Sequence, residues 1–224
     1  TDTIDHLIND VYEKKLVTQE SELRFLQSQI NPHFMYNVLC SIALMAQMDG
    51  NTDIQKMASN FAGLTQARLS GGGDVKIPLA QELQYAKFYI ELQQMRFGEK
   101  ISYQVSVSSE ELLTCLVPKL IIEMLVENAV GHGIEPKDGA GTVHVSAGYA
   151  ENGAIELVVA DDGVGFEGQN GEIPLPLDLP VSGNRHNRVA LNTVYKIMQH
   201  LYGPAYGIHI ISYEQIGTTV TIHL

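Results

Sequence analysis

The chain has no tryptophan and only two cysteines in 224 residues. Cys40 and Cys115 are far apart, with no CxxC or Cys/His spacing, so no metal site or disulfide is assigned, and both are expected to be small buried hydrophobes of a reducing compartment. Positive charge is scarce too: 14 Lys and Arg stand against 26 Asp and Glu, a formal net charge of -12. Such a balance repels the phosphate backbone that a general nucleic-acid binder must neutralise, which argues against nucleic acid as a partner. No apolar run approaches the ~18 residues needed to cross a bilayer, and no signal-peptide pattern opens the chain. A hydrophobic content of 45% is ample for a packed core. The chain opens at Thr1 without methionine and soon enters a helical pattern, so a piece of a longer protein is expected.

Leu16, Leu23, Leu26 and Ile30 fall at sevens and threes, a coiled-coil-like seam that resumes after Pro32 with Phe34, Val38, Leu39, Ile42 and Met45. Asp49-Gly50-Asn51 is a turn signal, and a second helix is expected from about Asp53 to Leu69. An antiparallel hairpin of this kind leaves an apolar stripe uncovered, which predicts a homodimer through a four-helix bundle. Gly71-Gly72-Gly73 closes the region. Pro78 opens a further helix that runs to about Phe97 and stops at Gly98. Beyond it the pattern changes to a strand at 101–107, a buried helix at 119–130, and a hairpin of strands at 142–149 and 154–160 around Asn152-Gly153. Residues 166–187 lack any period and are expected to be a functional lid. A helix at 188–202 and strands near 206–213 and 218–223 complete an α+β sandwich of helices on a mixed sheet. The expected division is a helical region at 1–70, a connecting loop and helix at 71–98, and an α/β domain at 99–224.

Three clusters carry chemistry. In NPHFMYN, Asn31 to Asn37, the proline either kinks a helix or restarts one with Asn31 as cap, leaving His33 in the distorted turn. A neutral imidazole there is a competent nucleophile, and Asn37, four residues on, shares its face and could orient a water. On spacing alone, an ordinary interfacial histidine beside a kink fits as well or better. In MLVENAVGHGIEP, Met124 to Pro136, an apolar helix carries Glu127, Asn128 and His132 near its end. A buried amide beside a carboxylate calls for a partner, and a magnesium ion with Asn128 as ligand would satisfy it, unless both merely cap a fraying helix. In DDGVGF, Asp161 to Phe166, Gly163 and Gly165 let backbone approach a flat ligand, and Asp161 can accept from an exocyclic amine such as adenine N6. Taken alone, this is also an ordinary hairpin turn.

In combination and in this order, the clusters resemble LytS/YesM-type sensor histidine kinases over roughly residues 20–224. The family's LQxQINPHFLYNxLxSI is matched from Leu26 to Ile42, its IQxxRF by Gln93 to Phe97, and its LVENAxKHGI by LVENAVGHGI. The resemblance implies a Bergerat-type ATP fold, with His33 accepting the γ-phosphoryl group, Asn128 at Mg2+ and Asp161 at adenine. It places His132, Gly163 and Gly165 around the ATP and implies an onward acceptor aspartate on a response-regulator receiver domain. The parent protein is expected at the bacterial cell membrane with this portion in the cytoplasm. Glu127 is the candidate base, with Glu123 behind it. Two departures stand out: Gly131 replaces a family lysine, and Arg188-Val189-Ala190-Leu191-Asn192-Thr193 replaces GIGLxN. Arg185 and Arg188 are candidates to compensate. Two rivals remain: a degenerate scaffold with weak or absent nucleotide binding, and an ATP-driven clamp without a phosphohistidine.

Overall fold

Helix α1 (Pro32–Met48) and helix α2 (Thr52–Leu69) form the expected antiparallel hairpin. The computed structural model describes residues 32–69, 74–177, 185–203 and 206–224. The seam at Leu16, Leu23, Leu26 and Ile30, and the cap at Asn31, lie outside the described residues. Gly50 turns the chain in the left-handed region, at φ 71. The Ile54 N–H donates to Asn51 Oδ1 at 3.1 Å, so Asn51 caps α2. Buried Ala43, Ala46, Ala58 and Ala62 let the two helices approach closely, while Phe34, Val38, Met45, Met57 and Phe61 stay exposed.

Helix α3 (Leu79–Phe97) begins after Pro78 and stops at Gly98, φ 61, as the sequence suggests. It is the bridge between hairpin and sheet. Gly63 of α2 sits against the Phe88 ring, where a Cβ would overlap the aromatic carbons. Beside it the Asn60 amide donates to Glu91 at 2.7 Å, and Lys56 pairs with the same carboxylate at 3.4 Å.

Strands β1 (Lys76–Pro78) and β3 (Leu116–Pro118) pair antiparallel in a small ladder with no counterpart in the sequence reading. Three-residue strands ending in proline carry too little alternation to be seen. The remaining strands are β2 (Ile101–Val107), β4 (Gly141–Tyr149), β5 (Ile155–Asp161), β6 (Asn170–Ile173), β7 (Ile208–Tyr213) and β8 (Gly217–His223). They form one sheet in the order β2-β4-β5-β8-β7-β6, with β2 parallel to β4 and the other pairs antiparallel. The lid reading of 166–187 is corrected in part. Residues 170–173 are an edge strand on β7, and helix α5 (Arg185–Tyr202) begins three residues before the expected 188. Residues 178–184 lie outside the described residues. The two cysteines are half-buried, not buried.

Helix α4 (Ile121–Asn128) starts later than expected because Leu120 adopts a left-handed turn, φ 68, and the chain continues past Asn128 as a π turn, Ala129–Ile134. Alternate sheet residues, among them Val143, Val145, Leu157, Val159, Ile210 and Ile222, are buried in one core with Ile90, Ile121, Leu125, Leu191 and Met198 of the helices. Glu82, fully buried in α3, fixes where α4 begins: it accepts the N–H groups of Leu120 and of Ile122, the latter at 3.0 Å. Burial pushes its carboxyl up to about 7, against the pull of those two donors. Glu82→Ala would strand both donors, an expected loss of about 2–4 kcal/mol in urea denaturation. Glu82→Gln keeps an acceptor and should lose less than half of that.

Candidate functional site

Asn128 occupies the last turn of α4, 7% exposed, and its side-chain Oδ1 has no hydrogen-bond partner among the described residues. A buried amide oxygen without a partner forfeits on the order of 1–3 kcal/mol, so its retention points to a ligand. The π turn that follows is a widened coil of the kind found at functional sites. It delivers Gly133 directly onto Asp161, at the end of β5. A Cβ at Gly133 would collide with the Asp161 carboxylate, and one at Gly163 would collide with the Gly133 backbone. The Val164 N–H donates to the Gly133 carbonyl at 3.0 Å, which closes the contact. Asn128 and Asp161 are thus joined through the turn between them.

Of the two adjacent aspartates, Asp162 is structural: it accepts from the Thr142 N–H at 2.8 Å and from Lys137 Nζ at 3.0 Å. Asp161 accepts from the Gly163 N–H at 2.9 Å. Burial pushes the Asp161 carboxyl up to about 7 and nearby Asp162 adds to the shift, while the Gly163 and Thr218 donors and Lys137 pull the other way. The two glycines have a packing reason as well. The side chains they lack would meet protein backbone, that of Gly133 at Gly163 and that of Tyr213 at Gly165, where φ is 66. They are needed first to stitch the loop to its neighbours.

Arg68, in the last turn of α2, carries no signal in the sequence, yet it joins the hairpin to α4. Its guanidinium donates to Glu123 and to Glu127, the latter at 2.6 Å. Glu123 is 1% exposed, and burial raises its carboxyl, with Arg68 opposing that shift. Glu127, the candidate base, is exposed and engaged by Arg68. Tyr89 of α3 lies near both, its hydroxyl pushed up by burial and then by Glu127 and Glu123. His33 and Asn37 lie on α1, Asn37 exposed, with its carbonyl accepting from Ser41 Oγ at 2.9 Å. His132 is half-buried in the π turn. Arg185 and Arg188 occupy the start of α5. Asn192, one turn on, both donates to the Leu177 carbonyl and accepts from the Leu177 N–H, each at 2.9 Å.

Residues 21–101 match the histidine kinase family, and residues 117–224 match the histidine kinase-, DNA gyrase B-, and HSP90-like ATPase family. The chain is 30% identical over 219 residues to the sensor histidine kinase YesM of Bacillus subtilis, covering 98% of this chain and 36% of that protein. It is 31% identical to the sensor histidine kinase YpdA of Escherichia coli over 93% of this chain and 35% of the relative. The LytS sensor protein of Bacillus anthracis is 31% identical over 91% of this chain and 34% of its own length.

The chain belongs to the LytS/YesM-type sensor histidine kinases. It spans about a third of the length of these relatives. No helix among the described residues is long and apolar enough to cross a membrane. At Gly131, in the same π turn, a Cβ would meet open space.

Two outcomes follow from this geometry. Gly163→Ala should lower the melting temperature by several degrees, while Gly131→Ala leaves it within about a degree, as scanning calorimetry would read. The raised Asp161 carboxyl also sets a pH dependence. Between its ordinary 3.8 and about 7 the folded protein holds a proton that the unfolded chain has released. Its contribution to stability is therefore full below pH ~4 and lost as pH rises through ~7. Urea midpoints of the nucleotide-free protein should fall across that window, and Asp161→Asn should reduce the fall, leaving the part that Glu82 contributes.

Proposed function

We propose that this chain is the catalytic portion of a two-component sensor that transfers the γ-phosphoryl group of ATP to His33. The observation that carries the reading is the unpartnered, buried Asn128 Oδ1, on a helix whose continuation is pressed against Asp161. Asp161 in its ionised form accepts from the adenine amine, and Asn128 offers an oxygen to Mg2+. Among the described residues no three His, Cys, Asp or Glu side chains are grouped to hold a metal. The ion would therefore draw most of its oxygens from phosphates and water, and its chemistry is to neutralise charge on the β- and γ-phosphates. His132 belongs to the same turn. Arg185 and Arg188, at the start of α5, are proposed to supply charge-assisted contacts to the phosphates in place of the family's glycine-rich backbone.

Phosphoryl transfer asks little covalent help of a protein, so the chain's work is to position His33, exclude water and receive a proton. Glu127 is the carboxylate proposed to receive it, and Asn37 is proposed to orient water for phosphohistidine hydrolysis. The exposed stripe of Phe34, Val38, Met45, Met57 and Phe61 supports a homodimer through the hairpin. An aspartate of a response-regulator receiver domain is the proposed onward acceptor. A cytoplasmic placement in a membrane-attached parent fits a sensor role.

The altered glycine stretch from Arg188 to Thr193 and the missing lysine at Gly131 favour a second reading, a dimeric scaffold of the same family that binds nucleotide weakly. Incubation with γ-labelled ATP and magnesium separates the two. Acid-labile, alkali-stable label on the wild type, reduced at least a hundredfold in His33→Gln, is the expected result. Absence of label supports the scaffold, and released phosphate without labelled protein would support an ATPase clamp. Gly131→Lys should strengthen ATP binding about three- to tenfold in a fluorescence titration.

A further inference from the structure

Two carboxylates stand side by side at the end of β5, in opposite surroundings. Asp161 is held inside, its Oδ1 accepting from the Gly163 N–H at 2.9 Å and its carboxylate pressed on Gly133. Asp162 is half exposed, and Lys137 bonds to it twice: Nζ donates to the Asp162 carbonyl at 2.7 Å and to Asp162 Oδ1 at 3.0 Å. The Lys137 backbone is fixed as well, its N–H donating to the Ile134 carbonyl at 3.1 Å at the end of the π turn. With 27% of its side chain exposed, this ammonium is screened less than a free surface lysine. Burial raises the Asp161 carboxyl most, the like charge on Asp162 adds to that, and Lys137 opposes it. The π turn packed on Asp161 carries His132 beside Gly133, while its neighbours across the sheet, Val143 on β4 and Thr218 on β8, are uncharged.

We propose that Lys137 is a specificity-determining residue for the nucleotide base: by pairing with Asp162 it keeps Asp161 ionised, so that the site takes a base offering an amine over one offering a carbonyl. This rests on the reading above in which Asp161 accepts from the adenine amine. An ionised carboxylate can only accept, whereas a protonated one carries an O–H donor. Where adenine has its amine, guanine has a carbonyl oxygen, which an acceptor repels and a protonated carboxyl can bind. The charge on Asp161 is therefore itself the element that reads the base. An adjacent, unneutralised Asp162 would work against that charge, and Lys137 removes the conflict. Lys137 acts through its two neighbours and not by contact with the base.

The test is calorimetric titration of ADP and of GDP, with magnesium, from about pH 5.5 to about pH 9 on the wild type, Lys137→Met, Lys137→Arg and Asp162→Asn. Wild-type affinity for ADP should fall below the Asp161 midpoint of about 7, by about tenfold per pH unit. His132 and the phosphates titrate in every variant, so a displacement between variants isolates the Lys137–Asp162 pair. Lys137→Met should raise the midpoint by about half a unit or more, weakening ADP about threefold at about pH 6 and less than about twofold at about pH 9. Its preference for ADP over GDP at about pH 6 should shrink about threefold. Asp162→Asn, which keeps an acceptor for the Thr142 N–H and removes the like charge, should lower the midpoint, and Lys137→Arg should keep it. Weakening by one constant factor at every pH in Lys137→Met, an unchanged preference for ADP, or an upward move in Asp162→Asn would overturn the proposal and leave Lys137 a fastener of the loop. If Lys137→Met does not fold, the direction of the move in Asp162→Asn decides. A wild type that binds no ADP refutes the nucleotide reading itself. The Asp161 titration, followed by carbon-13 NMR and assigned with Asp161→Asn, then settles the role of Lys137: a higher midpoint in Lys137→Met is expected, and an unmoved one overturns it.

Discussion

The contact between the π turn after α4 and the end of β5 is the constraint on which the site depends. At Gly133 and Gly163 two segments far apart in sequence approach more closely than any side chain would permit, and the Val164 N–H to Gly133 carbonyl bond fixes their register. One segment carries Asn128 and the other Asp161. Neither would be held relative to the other by side-chain packing alone, since a single methylene at either glycine would force them apart. The rest of the α/β unit supports this contact from outside. Glu82 sets the start of α4, Asp162 and Lys137 fasten the loop after β5, and the Gly165 loop lies against β7.

Polar groups were left in apolar surroundings for two different ends. Glu82 is a buried carboxyl whose two acceptor bonds are both used, so it serves folding. Asn128 is a buried amide whose oxygen has no partner among the described residues, which leaves it available to a ligand. Glu123 falls between, buried on α4 but paired with an arginine that belongs to the hairpin. This third arrangement couples the two halves of the chain, since pulling α2 away would leave a carboxylate uncompensated in the core.

Much of this was legible in the sequence, for identifiable reasons. Strand β2 has strict alternation over seven residues, the β4–β5 hairpin has Asn152-Gly153, and α3 lies between Pro78 and Gly98; all were found with boundaries within a residue or two. The NPHFMYN and LVENAVGHGI segments were legible because rare residue types cluster there. The β1–β3 ladder was not, because three-residue strands have no period. Strand β6 was not, because glycine and proline around it masked a four-residue edge pairing. Arg68, Asn192 and Lys137 were missed because each acts through a tertiary contact with a residue fifteen or more positions away. At Gly163 and Gly165 a second reason for glycine was not legible: the Cβ each lacks would meet the backbone of a segment distant in sequence.

The central claim is that Asn128 and Asp161 frame one site for a magnesium-bound adenine nucleotide. Calorimetric titration with ADP, with and without magnesium, on the wild type and on Asn128→Ala tests it most directly. The account predicts saturable binding to the wild type that weakens at least tenfold when magnesium is withheld, and a variant whose weaker binding no longer responds to the metal. Wild-type binding indifferent to magnesium, or an Asn128→Ala chain that binds and responds as the wild type does, would contradict it.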